Sequence, residues 1–203
     1  MTSRKVKERL LDAAEKLFTE KGYDRTNVRD LTTEAGCNIA AVNYHFGGKD
    51  KIYIEMFRRH QKNLIEIQTE NIKRIMALKK PTLEDLIRAI TEKHFEELRE
   101  SNDKSSVLKL LIRETLEPHL TEEIIPREMY ENLEKLYIDA IVELTPGISY
   151  EDAALCRFSS GGVLMYPVMF YRYYLMLRPK LTVDELIEHT VKFCCAGIRS
   201  FAK

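Results

Sequence analysis

The chain of 203 residues is predicted to be all-helical by three observations. Apolar residues recur at three- and four-residue intervals along most of its length. Asn, Ser or Thr caps, several with an acidic residue three positions on, precede those runs, and Gly or Pro follows them. No strand-like alternation or hairpin dipeptide competes. About nine helices are expected, well above the helical third of an average globular chain.

Taken in order, Val6, Leu10, Ala13, Ala14, Leu17 and Phe18 form one stripe of a helix over 4–21, which Gly22 closes. Asn27, with Asp30 three residues on, starts a second helix from Val28 to about Ala35, and Gly36 supplies the left-handed residue that stops it. Asn38 caps a third helix, Ile39 to Phe46. Gly47 and Gly48 then break the chain before a long helix from Lys49 to about Leu78, roughly 45 Å at 1.5 Å per residue. Its front, with Tyr53, Met56 and Phe57, can cover the first three helices, while its rear enters a second domain.

Lys79-Lys80-Pro81 ends that helix, and Thr82 with Asp85 opens a fifth, to about Arg99. A sixth is expected around Val107, Leu110 and Leu111, ending near Pro118. Pro126 stands at the start of a seventh, whose Met129, Leu133, Leu136, Tyr137, Ala140, Ile141 and Leu144 keep the period until Pro146-Gly147. Ser149 with Asp152, and Thr182 with Glu185, announce two final helices, about 150–177 and 183–200. In the first of these, Gly161 and Gly162 suggest close approach of another backbone or a ligand, since each weakens a helix by up to about 1 kcal/mol relative to Ala. Pro167 is expected to kink it.

Net charge is zero, which argues weakly against nucleic-acid binding, but the distribution is uneven. Residues 1–60 carry 12 Lys or Arg against 9 Asp or Glu, and the remainder carries 20 against 23. The excess concentrates at Arg4, Lys5, Lys7 and Arg9, either a solvated end or a phosphate-contact arm. No run of ~18 apolar residues and no signal-peptide pattern is found, so a cytoplasmic protein with no membrane partner is expected. Cys37, Cys156, Cys194 and Cys195 lack zinc-finger spacing. They are expected to be free core thiols, with a redox or soft-metal sensor at Cys194-Cys195 as the alternative. No cofactor and no metal is expected. No nucleophile with an adjacent base is recognisable, and Gly47-Gly48-Lys49 lacks the rest of a P-loop, so no catalytic residue is assigned and no enzyme is expected.

The short helix 39–46 is informative by composition. Val42 and Phe46 can pack inward with Leu31, leaving Ile39, Ala40 and Asn43 outward, without a single Lys or Glu. That surface suits a DNA major groove, where Asn pairs with adenine and an aliphatic side chain touches a thymine methyl; the alternative is a helix buried on all sides.

The run Ala41-Val42-Asn43-Tyr44-His45-Phe46-Gly47-Gly48-Lys49, preceded by Gly22-Tyr23, Val28-Arg29-Asp30 and Ala35-Gly36, resembles the DNA-binding domain of the TetR family of bacterial transcriptional regulators. Leu111-Ile112-Arg113-Glu114, with Glu117-Pro118, resembles the CerR-like branch. The resemblance implies an N-terminal three-helix helix-turn-helix domain, 1–48, and a C-terminal helical effector-binding and dimerisation domain, 49–203. It implies a homodimeric repressor that binds a palindromic double-stranded DNA operator and is released by a small-molecule effector, here a largely apolar or aromatic one. Carried over by position, Arg29, Ile39, Ala41 and Asn43 are base-contact candidates. Phosphate candidates are Arg4, Lys5, Thr26, Asn27, Tyr44, His45 and Lys49. Arg113, Tyr130, Tyr137, Phe158, Met165 and Met169 are the effector candidates, and Gly161, Phe170, Tyr174, Phe193 and Ile198 the dimer-interface candidates. A helical carrier or interaction module without specific DNA binding is the alternative function.

Overall fold

The computed structural model describes residues 3–99 and 127–203, the latter with backbone alone for 127–130. Eight helices and no strand are found among the described residues. They are α1 (Ser3–Lys21), α2 (Val28–Glu34), α3 (Ile39–Phe46), α4 (Lys49–Met76), α5 (Leu83–Arg99), α6 (Arg127–Leu144), α7 (Tyr150–Leu177) and α8 (Val183–Arg199). The helix expected around Val107 to Pro118 lies outside the described residues, as does the Arg113-Glu114 segment.

The described chain divides into two compact units, the first reaching Leu64 and the second comprising Ile65–Arg99 and Glu128–Lys203. A division was expected at residue 48; by contacts it falls within α4. The reason is packing: Ile52, Tyr53, Ile54, Met56 and Phe57 join Leu10, Ala14, Leu17, Phe18, Leu31 and Val42 in one buried core. Phe18, Tyr23, Tyr53 and Phe57 form a chain of ring contacts through it, with centroids 4.8 to 5.9 Å apart. Arg59 of α4 adds a polar tie to α1, donating to Asp12 at 2.7 Å and Glu15 at 2.8 Å.

In the second unit α5 and α8 pack extensively, and α7 covers both. Arg199 forks onto Glu84 (2.6 and 2.7 Å), Arg88 pairs with Glu188, and Arg99 with Asp184. These exposed pairs align the two helices more than they stabilise them. Thr182 and Glu185 form the expected capping box at the start of α8.

The segment 150–177 contains no unbroken run of apolar residues but is apolar on average. By length and composition α7 is long and apolar enough to cross a membrane, with a window of mean hydropathy 1.2. It nevertheless buries Ala153, Cys156, Ser160, Leu164, Val168 and Tyr171 along one stripe, as the core helix of a helical body does. The helix runs on through Pro167 to Leu177. Among the described residues no backbone approaches the two glycines: a Cβ on Gly162 would meet nothing within 4 Å, and one on Gly161 would meet Nη1 of Arg157 at 3.4 Å.

Candidate nucleic-acid interface and effector region

Two caps and two glycines shape the helix-turn-helix. Asn27 Oδ1 accepts from the Asp30 amide (2.9 Å) while the Asn27 amide donates to Asp30 Oδ2 (3.1 Å), a reciprocal box that fixes the start of α2. Gly36 takes φ +60° after α2, and the Cys37 amide returns to the Thr32 carbonyl at 3.0 Å. Asn38 Oδ1 then accepts from Ala41 N at 3.1 Å. Gly47, at φ +81°, closes α3 by donating to the carbonyls of Asn43 and Val42. A side chain with a Cβ would be strained there, which explains the glycine after Phe46.

The faces of α3 sort as its sequence predicts. Val42 is fully buried and Phe46 is packed against the core, whereas Ala40 and Asn43 are exposed, Ile39 is 46% exposed and Tyr44 80%. Ile39 and Asn43 are four apart and share one face. Burial on all sides is thereby excluded. Arg29 is exposed on α2, Ala41 is half-buried against the core, and Arg4 and Lys5 are exposed at the start of α1. Asn27 is exposed and keeps its amide nitrogen available, its oxygen being used in the cap. His45 is half-buried, its ring 5.0 Å from that of Tyr44.

Two phosphate candidates do other work in the fold. Thr26 is fully buried, its hydroxyl aimed at the carbonyls of Gly22 (2.9 Å) and Leu17 (3.2 Å), so its side chain is removed from the phosphate set. It stitches the α1–α2 turn. Lys49 donates from Nζ to the Tyr23 carbonyl at 2.8 Å and lies 3.9 Å from that ring's centroid, while the Tyr23 hydroxyl donates to Asp50. Lys7, read from the sequence as part of the basic amino-terminal arm, has its Nζ 5.5 Å from the Phe46 ring centroid, which brings a basic side chain to the end of α3.

The effector candidates separate in the second unit. Tyr137 is fully buried and donates its hydroxyl to Gln68. Met165 is half-buried. Phe158 is 82% exposed and Met169 is exposed, which corrects their assignment to an enclosed lining: they lie round the side of α7 away from its buried stripe. Tyr130 and Arg113 fall outside the described side chains. Around Tyr137 the structure gathers residues that periodicity did not nominate. Arg157 lies with its guanidinium carbon 4.5 Å from the Tyr137 ring centroid and donates from Nη2 to Glu134 at 2.7 Å. His94 makes its Nδ1 contact with the Ile90 carbonyl at 3.0 Å. A narrow void, too tight for water, is lined by Gln68, Ile72, Leu86, Ile90 and Tyr137. The available signal was an interrupted stripe, because Gln61 and Gln68 occupy buried positions between Phe57 and Ile72 on α4.

Burial, seconded by the nearby Arg157 charge, pushes the His94 pKa down. Below the ordinary value near 6.5, the unfolded chain binds a proton at this position and the folded one resists it. Stability from the uncharged imidazole is therefore present above about pH 6.5 and lost as pH falls towards the depressed folded value. Thermal melts from pH 7.5 to 5.5 should fall for the native chain and flatten for His94→Gln; parallel curves would place the loss elsewhere.

Among the dimer candidates, Phe193 is 59% exposed, and Phe170 and Tyr174 are exposed too, while Gly161 is half-buried. Ile198 is buried inside the subunit at 2% exposure, so that assignment is corrected: its position on α8 points to the core shared with Val191, Cys194 and Cys195. Between α7 and α8 an apolar groove of about 1220 Å³ is lined by Tyr166, Pro167, Tyr174, Leu186, His189 and Phe193 among others. Burial pushes the Cys195 thiol up to about 12 and raises Cys194 and Cys156 as well. Such thiols stay protonated and unreactive, which favours the core role over redox sensing. Among the described residues no His, Cys, Asp and Glu group has the arrangement of a metal site.

The sequence pattern of the bacterial regulatory proteins, tetR family, matches residues 10–56, which spans α1 to the front of α4. Residues 10–56 thus carry the DNA-binding pattern of that family. The fatty acid metabolism regulator protein of Bacillus subtilis is 26% identical over 106 residues, 52% of each chain, so the match spans about half of that relative. The transcriptional activator FasR of Mycolicibacterium smegmatis is 24% identical over 93% of this chain and 81% of its own. The crystal structure of the regulator FadR from Bacillus subtilis, in complex with stearoyl-CoA, superposes with a TM-score of 0.70 at 20% identity, covering 94% of this chain and 98% of that one. The likeness of fold to that structure therefore takes in residues of both units.

Proposed function

We propose that this TetR-family chain is a ligand-responsive, DNA-binding transcriptional regulator that acts as a cytoplasmic homodimer and has no enzymatic role. The observation that carries the proposal is the exposed face of α3: Ile39 and Asn43 offered outward, without Lys or Glu, on a helix capped at both ends. Asn43 reads a base, Ile39 supplies apolar contact, and Arg29 adds a second polar reader. Arg4, Lys5, Asn27, Tyr44 and His45 hold phosphates, with Lys7 added to them. The exposed Phe170, Tyr174 and Phe193 form the pairing surface, and the groove beside them receives the partner's helices. Two-fold symmetry then requires a palindromic operator with half-sites ~34 Å or a multiple apart.

The effector enters the helical body and is largely apolar; the stearoyl-CoA held by the structural neighbour favours an acyl chain as its apolar part. Its binding weakens operator affinity through α4, which belongs to both units, with a coupling of typically ~1 to 3 kcal/mol. Repression relieved by the effector is the sign proposed. Reporter output should rise when the regulator is deleted.

Fluorescence anisotropy with DNA from upstream of the chain's own gene tests the central claim. Native protein should bind in a salt-sensitive, sequence-preferring way. Asn43→Ala should weaken binding by ~1 to 3 kcal/mol, confined to one position per half-site. Unchanged affinity and preference would remove Asn43 from the readout. Absence of any preferred sequence in the native protein would favour a carrier or interaction module instead.

A further inference from the structure

Four helices of the second unit bring polar side chains together, with Arg157 and Glu134 partly exposed (19% and 33%) at the edge of the cluster: Gln68 from α4, His94 from α5, Glu134 and Tyr137 from α6, and Arg157 from α7. A structural ion pair would be expected to satisfy its buried donors, since an N–H taken out of water without a partner loses its hydration without return. Arg157 does not. Glu134 takes only Nη2, and the adjacent Nε is buried with no hydrogen-bond partner. The Nε–Nη2 edge is the one a carboxylate grips with both oxygens.

The surroundings prepare that edge for an anion. Tyr137 lies under the guanidinium plane and is itself fixed by Gln68, so the cation is held in place by stacking. Gly161, one turn on along α7, keeps space beside Nη1, where an added Cβ would come to 3.4 Å. His94 is kept uncharged, leaving Arg157 as the cation of the cluster.

We propose that Arg157 is the effector-reading residue of the helical body and binds the carboxylate of an otherwise apolar ligand, with Glu134 occupying part of that position in its absence. The proposal rests on the reading of this body as an effector domain and goes beyond it in naming the ligand's polar group: a free monocarboxylic acid, as distinct from an alcohol or a thioester of the same chain. Binding exchanges one carboxylate for another on the same guanidinium, so the charge balance of the interior is unchanged only if Glu134 turns outward or takes a proton.

The test is titration calorimetry on the full chain with decanoate, decanol and decanoyl-CoA. Native protein should bind decanoate about tenfold or more tightly than decanol. Glu134→Gln, which removes the resident carboxylate, should tighten decanoate by about tenfold and leave decanol unchanged, a gain that a purely structural ion pair would not give. Arg157→Gln, checked for native helix content by circular dichroism, should erase the difference between acid and alcohol. Equal affinity for acid and alcohol, no binding of decanoate, or decanoate binding untouched by Arg157→Gln would each overturn the proposal. Decanoyl-CoA binding tighter than decanoate, and identical in native protein and Arg157→Gln, would overturn it while leaving the effector reading standing. Operator binding without any ligand reads the regulatory assignment separately.

Discussion

Leu31→Ala is expected to lower the stability of the first unit by ~3 to 5 kcal/mol, the range of buried leucines whose cavity cannot collapse. Leu31 is fully buried between the stripe of α1, Val42 of α3 and the front of α4. A unit of about sixty residues has a small core and a margin on the order of 5 kcal/mol, so most of that margin would go. Urea denaturation followed by circular dichroism should show an early transition in the variant, with operator binding lost at the temperatures where that transition lies. A loss under about 1 kcal/mol would mean that the core closes over the vacancy and that α2 is held mainly by its capping box.

Phe193→Asp combined with Tyr174→Asp is expected to give a folded monomer whose operator affinity falls by about 100-fold or more. Both side chains are exposed in the subunit, so the substitutions leave its core intact. In the proposed dimer they would place charges in an apolar contact, at a desolvation cost no rim ion pair repays. The loss on DNA follows from avidity, since the second half-site would no longer be reached at the high effective concentration that pairing provides. Sedimentation velocity reads the mass and anisotropy reads the affinity. A dimer persisting in the double variant would move the interface off the α7–α8 face.

Much of the secondary structure was legible because its signals are local. The termini of α3 and α7 lie where caps and breakers place them, Ile39–Phe46 and Tyr150–Leu177, and Asn27, Asn38, Ser149 and Thr182 all cap as their positions predict. A cap needs only the next three residues, and helical periodicity only the next four. The outward face of α3 was legible for the same reason.

Effector-region assignments fared less well because α7 is apolar on several faces at once. Its sequence does not say which face meets α5 and α8, and Phe158, chosen as a lining residue, stands in the open while Arg157 beside it turns into the cluster with Tyr137. Adjacent helical positions differ by about 100°, so an error of one residue exchanges interior for surface. Thr26 shows the same limit at smaller scale: a hydroxyl next to a helix cap suits a phosphate or a buried carbonyl, and only the path of α1 past it decides for Leu17 and Gly22.

By itself the sequence determined an all-helical chain, the caps and glycines of the helix-turn-helix, and the outward face of α3. All three depend on contacts between near neighbours. Only the tertiary structure decided that Ile198 and Thr26 are interior, and that Gln68, Tyr137, Glu134 and Arg157 meet. The hydrogen bonds of that cluster join partners 23 and 69 residues apart, which no local pattern encodes.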